Sequence, residues 1–128
     1  MNLFETKVKY SKVLETGKEK TVTETFLLDA VSFSDAEERI NKQLEPYITG
    51  EFSVEAIKKS RINEVINIDG SVQYKARVII DKKSTTILVP ADNVDEAYKI
   101  VDKSFESSIS DYEISGIVDS KIFGYFPL

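Results

Sequence analysis

TFLLDAVSFSDAEERINKQLEPYI, residues Thr25–Ile48, has a counterpart later in the chain: TILVPADNVDEAYKIVDKSFESSI, Thr86–Ile109. Thr25, Leu27, Ala30, Ala36 and Ile48 recur as Thr86, Leu88, Ala91, Ala97 and Ile109 at a constant offset of 61 (97 − 36). The apolar series Phe33, Ala36, Ile40, Leu44 recurs as Val94, Ala97, Val101, Phe105, with the spacing of one face of an α-helix. Ser32 with Asp35, and Asn93 with Glu96, each place a capping side chain before an acidic third helical position. The pattern predicts helices over about Phe33–Leu44 and about Val94–Phe105 and points to an internal duplication.

Strand patterns flank both helices. Leu3–Val13 alternates, with Phe4, Thr6, Val8 and Tyr10 on one side and Glu5, Lys7, Lys9 and Ser11 on the other. Glu15–Lys18 supplies a turn in which Gly17 can take positive φ, and Thr21–Leu28 returns as a second strand. After Pro46 and Gly50, the run Gly50–Ala56 sets Phe52, Val54 and Ala56 on one face. Ile62–Ile68 is β-prone, and Asp69-Gly70 is the strongest hairpin-turn signal in the chain. Val72–Ile80 alternates again, Asp81–Ser84 turns, and Thr85–Val89 returns until Pro90 ends it. Tyr112, Ile114, Gly116 and Val118 line a last long strand, ahead of the apolar stretch KIFGYFPL. Each half thus reads β-β-α-β. The expected fold class is α+β: a duplicated β-β-α-β unit forming a mainly antiparallel sheet, with both helices packed on one face and pseudo-two-fold symmetry. The expected organisation is a single domain over residues 1–128, built of repeats of about 1–68 and 70–128 with Asn67–Gly70 as the seam.

With 128 residues, 41% apolar and 30% charged, the chain has the composition of a globular domain. No apolar run reaches the length that spans a bilayer, and MNLFETKVKY lacks a secretory pattern, so an intracellular address is expected. The chain contains no Cys and no His, which excludes disulfides, thiol catalysis, imidazole ligands and a Ser-His-Asp triad. An enzyme would have to work with carboxylates, Lys, Tyr or hydroxyls, so no enzymatic activity and no cofactor are expected. The net charge of −5 argues against general nucleic-acid binding.

The acidic residues Asp35, Glu37, Glu38 and Asp95, Glu96 suit a hard-cation site, but favourable charge at a helix start explains them without a metal. Lys7 with Lys9, and Lys75 with Arg77, could meet a phosphate or simply form a solvated sheet face. Lys58, Lys59 and Arg61 form an asymmetric basic cluster and are the preferred candidates for anion contact. Tyr125 is the aromatic candidate beside them, from a stretch (Phe123, Tyr125, Phe126) that must pack on its own core, a second subunit or a partner. A homodimer is expected on that ground.

FETKVKY, VTETFLLDAVSFSDAEERI and PYITGEFSVEAIKKS resemble an uncharacterised family of small proteins from Bacteroidales, their phages and mobile elements. The resemblance covers nearly the whole chain and carries no catalytic residues with it. It implies a cytoplasmic protein of phage or mobile-element origin; by analogy of setting, the expected function is non-catalytic binding, in its sharpest form anti-defence sequestration of a nucleotide-like immune signal. A protein-protein interaction module acting on a host or phage protein is the alternative, and a carboxylate- and metal-dependent hydrolase comes third.

Overall fold

The computed structural model describes residues 2–128. Its elements are β1 (Leu3–Val13), β2 (Glu19–Asp29), α1 (Phe33–Leu44), β3 (Phe52–Lys59), β4 (Glu64–Val65), β5 (Val72–Ile80), β6 (Lys83–Ala91), α2 (Val94–Phe105) and β7 (Tyr112–Phe126). Contacts group them into two compact units. Unit 1 holds the residues up to Ser60 together with Ile122–Leu128, and unit 2 holds Arg61–Lys121.

In unit 1 the strand order is β3-β1-β2-β7. β1 and β2 make a long antiparallel hairpin, from Leu3 opposite Asp29 to Val13 opposite Glu19. Its loop contains Gly17 at φ 81, the conformation expected of that residue. β3 pairs antiparallel with the other side of β1, and residues 122–126 lie parallel to β2. In unit 2 the order is β7-β5-β6-β4. β5 and β6 form an antiparallel hairpin across Asp81 and Lys82, whose φ values of 49 and 66 make a tight two-residue turn of mirror-image type. Ser115 and Ser120 donate side-chain hydrogen bonds to the carbonyls of Arg77 and Gln73, so β7 runs opposite to β5. β4 lies parallel to β6.

Among the described residues the fold is therefore α+β with seven strands and two helices, but the strands form mixed rather than mainly antiparallel pairings. The reason lies in the segments after β3 and after Ser120. Neither enters a tight reversal, so each joins a second strand as its parallel neighbour, a pairing that a hairpin cannot make. The two parallel ladders have matching registers. Gly124 and Tyr125 stand beside Phe26 and Leu27, as Glu64 and Val65 stand beside Ile87 and Leu88.

Both helices start where the caps predict. The Ser32 hydroxyl accepts the Asp35 N–H at 3.1 Å, and the Asn93 side chain accepts the Glu96 N–H at 2.8 Å. Each such cap contributes about 1 kcal/mol. α1 buries Ala36, Ile40 and Leu44 against Phe4, Val8, Phe26 and Leu28. α2 buries Ala97 and Val101 against Tyr74, Ala76, Val78, Ile87 and Val89. Among the described residues no helix is long and apolar enough to cross a membrane.

Local readings change in four places. Lys7 stands opposite Ala56 but Val8 stands opposite Val54, so Glu55 is an extra, bulged residue. The bulge turns Ile57 onto the core in place of Ala56, and in β7 Ile117 packs on the core while Gly116 and Val118 are exposed. Pro90 stays within β6, opposite Gln73, beyond the two residues that β4 covers, where an edge tolerates proline. Finally, Asp69-Gly70 closes no hairpin, because β4 pairs with β6 and not with β5.

Gly70 is needed for a different reason: a Cβ there would sit 2.3 Å from the Ala91 nitrogen and 2.4 Å from the Pro90 carbonyl carbon. These are backbone atoms that cannot swing aside. Gly70→Ala is expected to cost about 1–3 kcal/mol or more in urea unfolding. Gly116→Ala, where a Cβ would meet nothing within 4 Å, is expected to change stability little.

Candidate functional site

Two of the concavities are alike. In unit 1 a groove of about 430 Å³ lies between the start of α1 (Phe33, Ser34, Glu37) and the bulged stretch Val54–Ile57 of β3. In unit 2 a groove of about 530 Å³ lies between Val94, Asp95 and Tyr98 of α2 and Ile114–Ile117 of β7. In both units the groove lies between the start of a helix and the strand that follows that helix.

The concavity at the far end of α1 has a different chemistry. It encloses about 400 Å³ and is bordered by Tyr10 and Lys12 of β1, Phe26 of β2, Leu44, Tyr47, Ile48 and Phe123–Phe126. Phe26 is its centre. It is 4% exposed, and the buried Thr6 hydroxyl donates to its carbonyl at 3.2 Å. The Phe126 ring stacks on it at 5.7 Å between centroids, and Phe123 approaches edge-on at 5.5 Å. Gly124 is its neighbour in the parallel ladder, and a Cβ there would lie 3.7 Å from the Phe26 ring. With no side chain at that position, the cavity reaches the aromatic floor. Helix α1 ends in a turn in which the Tyr47 and Ile48 N–H groups both donate to the Leu44 carbonyl, bringing those two side chains to the wall.

The polar equipment is sparse. The Lys12 ammonium lies 5.8 Å from the centroid of the Phe123 ring, a cation–π distance. The Tyr10 hydroxyl donates a hydrogen bond to the Glu24 carboxylate, and burial pushes the Glu24 carboxyl above its ordinary range. The cavity thus pairs an aromatic floor with one nearby ammonium group.

The residues singled out from sequence fall in different places. Lys58 and Lys59 are exposed neighbours on β3, opposite Glu5 and Phe4, and alternation sends their side chains to opposite faces. The Lys58 ammonium is 3.9 Å from the Glu5 carboxylate. Arg61 is exposed and begins unit 2. None of the three borders the aromatic cavity. Tyr125 does, although its ladder place beside Leu27 is one step out of phase with Phe26. Burial and then the charge of Asp29 raise its hydroxyl pKa, which fits a ring on the Leu27 and Asp29 side of the strand. Lys7, Lys9, Lys75 and Arg77 are all exposed.

The acidic helix starts are engaged locally. The Arg39 guanidinium donates to Asp35 at 2.8 Å, and Lys99 pairs with Asp95 at 3.1 Å. A hydrogen bond from the Val31 N–H, and then the one from Arg39, hold the Asp35 carboxyl below its usual range. Among the described residues no group of three or more acidic side chains is arranged to hold a metal ion.

Residues missed from sequence are Tyr10, Lys12, Phe26, Tyr47 and Gly124. The usable signals were the continuation of the Phe4–Tyr10 alternation to Lys12 and the aromatic Pro46-Tyr47 just past the helix. Their convergence depends on the parallel docking of residues 122–126, which no local pattern encodes.

The sequence model of a family described as Domain of unknown function (DUF4494) matches residues 2–128. The chain belongs to the DUF4494 family. Comparisons of this DUF4494 chain with curated proteins and with solved structures find no match.

The raised Glu24 carboxyl gives a pH prediction. A group whose folded pKa lies above its unfolded value stabilises the fold fully below the unfolded pKa, and that contribution is lost as pH rises through the folded pKa. The window opens at the ordinary value of 4.5 and extends upward. Wild type is therefore expected to lose thermal stability across it, and Glu24→Gln to flatten that part of a Tm-against-pH curve. An unchanged slope in the variant would remove Glu24 as its source.

Proposed function

We propose that this DUF4494 chain is a non-catalytic binding protein made of two diverged copies of one β-β-α-β unit, with the ligand site in unit 1. The observation that carries the reading is the aromatic cavity around Phe26, set beside the same ladder position in unit 2. There Ile87 replaces Phe26, Ala76 replaces Thr6 and Glu64 replaces Gly124. The turn after the helix brings Ser108 where unit 1 has Tyr47, and Ile80 begins its hairpin turn where β1 has Tyr10. Unit 2 has its own ring pair, Phe105 and Tyr112 at 5.5 Å between centroids, but no aromatic side chain at these ladder positions, so the hairpin and its covering strand do not need one there for packing. The cluster is better explained by what it binds.

The favoured ligand is a planar aromatic ring carrying an anionic group, as in a nucleotide. The ring would stack in the Phe26, Tyr10 and Phe123 enclosure, where base–aromatic stacking contributes about 1–3 kcal/mol per base. The anion would meet Lys12, with Lys58, Lys59 and Arg61 outside the pocket. A phage or mobile-element origin, a cytoplasmic address, and sequestration of a nucleotide-like immune signal are the biological setting we attach to this reading. A homodimer is its expected assembly. The second reading is a protein-interaction module gripping an apolar side chain of a host or phage protein. It is supported by the exposure of Tyr47 (77%) and Phe123 (59%) at the cavity rim.

The test is native mass spectrometry of the purified protein against nucleoside monophosphates and cyclic dinucleotides. Wild type is expected to retain a nucleotide-sized mass, and Gly124→Leu, which fills the cavity, to lose it while keeping its circular dichroism spectrum. Lys12→Ala is expected to weaken binding on the order of tenfold. Charge reversal at Lys59 and Arg61 is expected to leave binding intact. Uptake undiminished in folded Gly124→Leu would overturn the assignment of the site. If no nucleotide adds to wild type but a partner is captured by it and not by Gly124→Leu, the protein-interaction reading takes its place.

A further inference from the structure

We propose that Ile122–Phe126 is an exchangeable complementing strand, which a second copy of the chain can supply to β2 in place of the chain's own segment. Three observations support it. First, β7 is one continuous strand in sequence, yet it serves two units: the residues up to Lys121 belong to unit 2 and Ile122–Leu128 to unit 1. The linker between the two roles has no residues of its own. Second, the joint is locally strained. Lys121 takes φ 62, a left-handed conformation that favours glycine, and is held there by its own N–H donating to the Asp119 side chain at 2.8 Å. Short, strained joints are the usual sites at which identical elements are exchanged between copies.

Third, the segment docks through a surface that any copy would present. It pairs with Thr25–Leu28 through a ladder interrupted by one register shift, and inserts Phe123 and Phe126 against Phe26. Every contact in that description is remade unchanged when the segment comes from a second chain. The exchanged and unexchanged forms differ in the joint and in association entropy, so protein concentration shifts the balance between them. An exchanged strand would also bring the second chain's Phe123 and Gly124 to the pocket, making each binding site a product of two chains. The exchange itself does not depend on what the pocket binds.

The absence of cysteine makes a clean test possible. Thr25→Cys and Ile122→Cys place thiols at partner positions of the ladder. The two single variants are unfolded together, refolded at high concentration and oxidised, then run on a non-reducing gel beside the double variant. A covalent heterodimer, with a disulfide joining position 25 of one chain to position 122 of the other in peptide mass mapping, is the expected result. A double variant that closes only within its own chain, with single variants that remain unlinked, would overturn the proposal. A second variant covers the case in which neither pair oxidises. Deleting Lys121 shortens the joint between the two roles of β7, and a folded dimer by light scattering is then expected. A folded monomer would overturn it. Gly124→Leu in the same experiments separates the two readings, since it blocks the pocket while leaving the ladder backbone in place.

Discussion

An open strand edge must find hydrogen-bond partners, and the second strand of each hairpin faces this constraint. β1 and β5 are flanked on both sides by antiparallel neighbours, whereas β2 and β6 would each have a bare edge if the hairpins stood alone. Both edges are covered by short parallel segments. Glu64 and Val65 cover part of β6, and 122–126 cover Thr25–Leu28. Because β7 enters both units, unit 1 is built from two separated stretches of chain, whereas unit 2 is the single stretch Arg61–Lys121. Completing unit 1 therefore waits for residues made about a hundred positions after β2.

The same parallel ladder shapes the aromatic cavity. Its covering strand in unit 1 is IFGYF, and its alternation puts Gly124 beside Phe26 and Phe126 beside Leu28. One aromatic ring is stacked on, another meets it edge-on, and a missing side chain leaves the space between them open. In unit 2 the covering strand is Glu64-Val65 beside Ile87, and those residues supply no comparable aromatic enclosure. Equivalent backbone thus supports two different surfaces, and the difference resides in a handful of side chains.

Helix placement shows how far local chemistry reaches. Ser32 and Asn93 start the helices, and the Ala36/Ile40/Leu44 and Ala97/Val101 stripes aim them at their hairpins. These features come from interactions three or four residues apart, so they were legible without a structure. The long hairpin strands were legible for the same reason, since their alternation is strict. The bulge at Glu55 was not. Period-two alternation gives the face of every residue only while the register holds, and a single unpaired residue reverses it for Ile57.

The candidate site divides along the same line. Tyr125 was visible as an apolar residue in need of a partner, and it does border the cavity, but the basic residues paired with it lie elsewhere. Charge runs mark solvated surface as readily as they mark sites, and sequence neighbours on a strand point to opposite faces. By itself the sequence determined two capped amphipathic helices, two hairpins and a β-β-α-β order in each half, because each follows from short-range periodicity and turn chemistry. Only the tertiary structure decided that the segments after β3 and Ser120 pair in parallel with β6 and β2, and that Phe26 lies under Gly124. Parallel pairing joins residues distant in sequence through backbone groups that every residue carries, so no residue type announces it.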